Sequence, residues 1–139
     1  MIKTDKHKIL VIHGPNMNLL GLRTREDGGR ITLDKLNRHL RKAAIKTLLS
    51  LTIIQTNDEI RAVNHLQRSR KKIRGILMFP GPWQKSGHVI KETLEILSTP
   101  CITVSQGEEI DVLKGIKNIE EANIYKSSEK ALTELAELI

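Results

Sequence analysis

Short apolar runs rich in β-branched residues alternate along this chain with longer amphipathic segments, and that alternation constrains the fold more than any other feature. A rhythm of that kind is the mark of repeated strand–helix units. Right-handed crossovers between such units give a parallel sheet with helices on both faces. The spacing predicts strands at Ile9 to His13, Leu51 to Gln55, Ile73 to Phe79 and Pro100 to Val104, with a weaker fifth at Ala122 to Tyr125. Helices are predicted over Thr32 to Ser50, Asp58 to Lys72, Ser86 to Leu97 and Ser127 to Leu138. Thr32, Asp58, Ser86 and Ser127 or Ser128 each stand where a side-chain oxygen can cap the free amides of a first helical turn. Gly21 to Arg30 has no periodicity and reads as a loop over the carboxyl edge of the sheet. The fold class is therefore α/β, with residues 1–139 expected to form one domain.

Composition supports that reading and narrows the partners. Hydrophobic residues make up 39% of the sequence, and Phe79, Trp83 and Tyr125 are its only aromatics, so the core must be aliphatic. Cys101 has no second cysteine to pair with, which excludes an intrachain disulfide and suits a reducing compartment. No apolar stretch approaches the roughly 20 residues that span a bilayer, and no signal-type segment precedes the first strand. A soluble cytoplasmic protein without membrane contact is expected. The net charge of +7 is concentrated between Arg38 and Lys46 and between Arg61 and Arg74, on predicted helices, whereas Glu108, Glu109, Asp111, Glu120 and Glu121 make the C-terminal part more acidic. Such helices mostly present solvated faces. Nucleic acid is disfavoured as a partner because the stacking aromatics that usually accompany it are scarce.

Ligands of open parallel sheets bind at the carboxyl ends of the strands, where strand order reverses. Four segments fall there: His13 to Asn18, Gln55 to Glu59, Phe79 to Lys85 and Ser105 to Glu108. Phe79 and Trp83 either floor a pocket or fill the space beneath it. Lys85 and His88 near a helix start suit an anion, although His88 can equally be a solvated surface histidine. Asn16 and Asn18 either bind a ligand or hold their own turn, and Glu59 either binds a ligand or stabilises the first turn of its helix. His13 and His65 read as structural. No spacing of His, Cys and carboxylate residues suggests a metal, and no cofactor is implied.

The run Gly14-Pro15-Asn16-Met17-Asn18-Leu19-Leu20-Gly21, directly after a strand, resembles the Gly-Pro-Asn-Leu-Asn-Leu-Leu-Gly signature of type II 3-dehydroquinate dehydratases. Arg23, Thr32-Leu33, Gln55-Thr56-Asn57 with Glu59, and Pro80-Gly81 continue the likeness, which runs from about residue 8 to residue 108. The resemblance implies a flavodoxin-like three-layer α/β/α fold on a five-stranded parallel sheet. It implies self-association as trimers or dodecamers, with Glu92 at the position of an acidic residue that reaches a neighbour's site. It also implies a lyase of the shikimate pathway, in which a tyrosinate abstracts a proton, a histidine protonates the departing hydroxyl, and an asparagine holds the water that stabilises the enolate.

Asn16 fits that asparagine and Arg23 fits the arginine that lowers the tyrosine pKa. The tyrosine position is Gly28, however, and the only tyrosine, Tyr125, lies far along the chain. The segment that carries the family's histidine acid reads Ser105-Gln106-Gly107, and the carboxylate that orients the histidine becomes Thr103. Phe79 replaces a substrate-binding asparagine, Lys85 a histidine, and Ile116 stands about where an arginine binds the substrate carboxylate. These substitutions predict a dehydroquinase homologue that is inactive or redirected and binds a small polar or anionic ligand. The alternatives are a working dehydratase with an unusual base, and a non-catalytic scaffold that binds a polyanion through its basic helices.

Overall fold

A computed structural model describes residues 6–24, 30–107, 112–113, 115, 117–121 and 123–139. One sheet organises them, with strands β1 (His7–His13), β2 (Leu49–Gln55), β3 (Gly75–Phe79), β4 (Cys101–Val104) and β5 (Lys117–Ile119). All neighbouring strands are parallel, in the order β2-β1-β3-β4-β5. That is the flavodoxin-like order, whose switch point lies between β1 and β3. The sheet is covered by α2 (Leu33–Thr47) and α6 (Ile124–Leu138) on one face and by α3 (Glu59–Ser69) and α5 (His88–Leu97) on the other. Two short helices, α1 (Leu20–Arg23) and α4 (Trp83–Ser86), follow β1 and β3 at the carboxyl edge.

The central strand β1 shows why this sheet is two-sided. Successive side chains of a strand point to opposite faces. Ile9 and Val11 accordingly join Leu36, Leu40, Leu132 and Leu135 in one core cluster, while Leu10 and Ile12 join Ala62, Leu66, Ile76 and Ile90 in the other. A strand buried on both faces has no room for polar alternation, which is why the sequence there is a continuous apolar run. Thr32 accepts from the Lys35 N–H at 3.2 Å, and Asp58 from the Ile60 N–H at 3.0 Å, so both act as the caps their positions predict.

Several boundaries differ from the sequence reading; the helix expected to reach Ser50 ends at Thr47, so that Leu49 and Ser50 begin β2, and the third strand begins at Gly75 rather than Ile73. The fifth strand is Lys117–Ile119, not Ala122 to Tyr125. Asn123 instead caps α6, its side chain accepting from the Lys126 N–H at 2.9 Å, and Ile124 enters the core from the first helical turn. Ser127 and Ser128 consequently lie inside α6 rather than at its start, and both are buried. Ser86 ends α4, and Gly87 occupies the N-cap of α5 without any side-chain bond. A Cβ at Gly87 would meet the Trp83 carbonyl oxygen at 2.8 Å, so the crossing of α4 and α5 excludes a serine there. Finally, Gly21 to Arg23, the start of the segment expected as loop, belong to the short helix α1.

Candidate functional site

The Gly-Pro-Asn turn after β1 is held against β3 so tightly that glycine is required at its first position. Gly14 donates to the Phe79 carbonyl at 2.9 Å, and a Cβ on it would lie 2.7 Å from the Pro80 carbonyl oxygen. Asn16 takes a left-handed conformation (φ 69°), which asparagine tolerates better than most residues. Two side chains at the end of β2 and just beyond it fix that conformation. Asn57 Oδ1 accepts from the Asn16 N–H at 3.0 Å, and Gln55 Nε2 donates to the Gly14 carbonyl and to Asn57 Oδ1, each at 3.1 Å. The Gln55-Thr56-Asn57 segment thus builds the turn. The Asn16 side chain itself has no hydrogen-bond partner among the described residues and is exposed at the sheet edge.

A cleft of about 590 Å³ opens there, lined by Asn16, Arg23, Gly81, Pro82, Gln84, Lys85 and Gly107. Its walls come from the ends of β1, β3 and β4, and the volume falls in the range of ordinary small-molecule sites. Gly81 turns the chain with φ +54°, bringing α4 alongside Pro15. The lining combines two cations, Arg23 and Lys85, with the amides of Asn16 and Gln84. Among the described lining residues there is no carboxylate, imidazole, phenol or thiol.

Gln84 was not distinguishable in the sequence from an ordinary surface glutamine. It is 1% exposed, and both its Nε2 and Oε1 are buried without a partner among the described residues. Leaving such a group unmatched costs about 1–3 kcal/mol. Its main chain is fixed, because the N–H donates to the Gly81 carbonyl at 3.0 Å and its carbonyl accepts from Val112 at 2.6 Å.

Behind Gly107 lies a polar chain that the misplaced fifth strand concealed. Thr103 Oγ1 donates to Asn118 Oδ1 at 2.7 Å, Asn118 Nδ2 donates to Ser105 Oγ at 2.9 Å, and Ser105 Oγ donates to Glu120 Oε1 at 3.2 Å. The same Glu120 oxygen accepts from the Gly107 N–H at 2.6 Å. Asn118 and Glu120, from β5 and its end, therefore tie together Thr103 and Ser105, the two residues that the sequence resemblance sets opposite the family's carboxylate and histidine.

The remaining candidates divide clearly. Phe79 and Trp83 do not line the cleft but sit in the two cores, 1% and 4% exposed, and Phe79 stacks on His13 with ring centroids 4.7 Å apart. His13 is fully buried; its Nε2 lies 2.8 Å from Asn37 Oδ1, and its Nδ1 has no partner among the described residues. Burial holds its pKa down at about 4, against a partial opposing effect from Asn37, so the ring is neutral near pH 7. Gln106 is half-buried, with Nε2 3.9 Å from the Met17 sulfur. Glu59 is half-buried at the start of α3, where its charge suits the helix dipole. Asn18, His88 and Glu92 are exposed and outside the cleft lining. Gly28 and Ile116 lie outside the described residues. Among the described residues no group of three or more His, Cys, Asp or Glu side chains forms a metal site, and no helix is long and apolar enough to cross a membrane.

Strand order and cleft together define a doubly wound, flavodoxin-like α/β protein with a cleft at the β1/β3 switch point. Within that class the chain belongs to the class II dehydroquinase family, whose sequence pattern matches residues 7–110. It is 38% identical over 97 residues to a 3-dehydroquinate dehydratase of Roseiflexus castenholzii, a match covering 70% of this chain and 62% of that enzyme. A 3-dehydroquinate dehydratase of Geotalea daltonii is 35% identical over 97 residues, covering 70% of this chain and 67% of the relative. The chain thus matches somewhat under two thirds of the first relative's length. Among solved structures, the type II dehydroquinase of Propionibacterium acnes superposes with a TM-score of 0.82 at 26% identity, over 97% of this chain and 99% of the other. The type II dehydroquinase of Butyrivibrio crossotus gives 0.83 at 23% identity, over 95% and 99%, a likeness of fold.

Proposed function

We propose that this protein uses the dehydroquinase fold to bind a small anionic or polar ligand, and that it does not carry out the family's dehydration of 3-dehydroquinate. The observation that carries this reading is the cleft lining: cations and amides are present, while no described lining residue can serve as the family's base or acid at neutral pH except Lys85. Removing a single acid or base typically slows such chemistry by about 10²- to 10⁴-fold. Here Ser105 stands at the acid position, bound into the Asn118–Glu120 chain, and a hydroxyl of that kind does not replace an imidazole. His13 does not substitute either, being enclosed between β1, α2 and Phe79.

Arg23 is the anchor for the ligand. It has no ion-pair or hydrogen-bond partner among the described residues, and a guanidinium binds carboxylate or phosphate through two parallel hydrogen bonds. Self-association accompanies this reading, since the family forms homo-oligomers and Glu92 is exposed on α5 for contact with a neighbour. A cytoplasmic location follows from the same family context.

Calorimetric titration with quinate, citrate and phosphate tests the binding claim. At least one should bind to the native protein, and Arg23→Ala should abolish the signal. A protein silent towards all three, or one whose binding ignores Arg23→Ala, contradicts it.

A further inference from the structure

We propose that Gln84 makes the cleft selective for anions that also present an adjacent hydrogen-bond donor and acceptor, such as a carboxamide, a lactam or an imide. The inference rests on the anion-binding reading of the same cleft and adds the ligand class. Its basis is the combination found at Gln84: a lining position, near-complete burial, and an amide with neither Nε2 nor Oε1 paired among the described residues. Buried polar side chains are nearly always hydrogen-bonded, so an unpaired amide on a cleft-lining residue marks where a ligand atom belongs.

The chemistry of the amide selects the partner. Its NH₂ donates and its carbonyl accepts, side by side in one plane. A bare carboxylate supplies acceptors only, and would set its charge against the Gln84 carbonyl oxygen. A group with a donor next to an acceptor closes two antiparallel hydrogen bonds at once, as glutamine does with the edge of a nucleobase. Arg23 in the same lining meets the anionic end of that ligand.

Access is consistent with the geometry. The Gln84 main chain is bonded to Gly81, Val112 and Leu113, so the residue cannot leave the wall. Both amide atoms are covered in this conformation. Binding through the amide therefore requires the Gln84 side chain to turn towards the cleft that the residue lines.

Orotate and benzoate separate the two claims, because both are planar ring carboxylates and only orotate carries amide-type edges. The native protein should bind orotate roughly tenfold or more tightly than benzoate, since a site built to form hydrogen bonds rejects a ligand that leaves them unmade. Gln84→Leu should bring orotate down to the benzoate level while benzoate still binds, which also shows that the variant's cleft is intact. Equal affinity in the native protein, or a preference that survives Gln84→Leu, overturns the selectivity and leaves the anion cleft standing. If neither compound binds to the native protein the selectivity falls, and the anion cleft falls with it when quinate, citrate and phosphate are silent as well.

Discussion

Replacing His13 should remove a specific acid sensitivity from the fold. The ring lies fully buried beneath the Gly-Pro-Asn turn, stacked on Phe79, with Nε2 against Asn37 and Nδ1 unpaired among the described residues. Protonation would bury a positive charge whose new N–H finds no acceptor there, so burial lowers the pKa from its ordinary 6.5 to about 4. The unfolded chain titrates at the ordinary value and therefore binds more protons than the folded chain between about pH 4 and pH 6.5. Stability from the neutral ring is complete above pH 6.5 and is lost as pH falls towards 4, at up to about 1.4 kcal/mol per pH unit. From about pH 7.5 to about pH 5 the loss is about 2 kcal/mol.

Urea unfolding followed by the fluorescence of Trp83 measures this at several pH values. His13→Gln keeps a neutral polar side chain and deletes the titration. Carboxylates common to both proteins contribute equally, so the stability difference between native and variant isolates the histidine. That difference should shrink by about 2 kcal/mol over the same pH interval. Parallel pH profiles would refute the argument and place His13 in contact with water or with an acceptor.

Two further outcomes follow from close packing. Gly14→Ala pushes a methyl group to 2.7 Å from the Pro80 carbonyl oxygen and 3.0 Å from that of Phe79, neither of which can move without disturbing the turn. A destabilisation of about 3 kcal/mol, or roughly 10 °C in Tm, should appear in thermal unfolding; a loss within about 0.5 kcal/mol would show that the turn relaxes freely. The Cys101 thiol is enclosed, and burial pushes its pKa up to about 12. Thiol titration with a disulfide reagent near pH 8 should be slow in the folded protein and prompt in denaturant, whereas equal rates would mean that β4 is accessible.

The parts of this fold that were legible in the sequence are those specified by local pattern. β1, β3 and β4 carry apolar runs because both of their faces are buried, β2 at the sheet edge keeps enough apolar residues to read as a strand, and Thr32 and Asp58 cap the helices they precede. β5 was hidden because it is a three-residue strand paired on one side only, with polar Lys117 and Asn118 giving no periodic signal. The more apolar Ala122 to Tyr125 attracted the strand assignment, but Asn123 there is a helix cap.

The same division runs through the site. Asn16, Arg23, Lys85 and Gly107 were readable from a motif and its spacing, and the structure brings them to one cleft. Phe79 and Trp83 were placed at the right edge, but their apolar surface is buried in the cores below it. Gln84 fell in the expected edge segment but was not singled out, and Glu120 gave no signal, because the burial of one and the bonding of the other depend on contacts with Val112 and Gly107, distant in sequence.

Turnover of 3-dehydroquinate by the purified protein, followed by the ultraviolet absorbance of the enone product, tests the central claim most directly. The account predicts no turnover above that of an Asn16→Ala, Arg23→Ala double variant, even at high protein concentration. Turnover by the native protein that the double variant abolishes would contradict it and point to Lys85, or a group outside the described cleft lining, as the base.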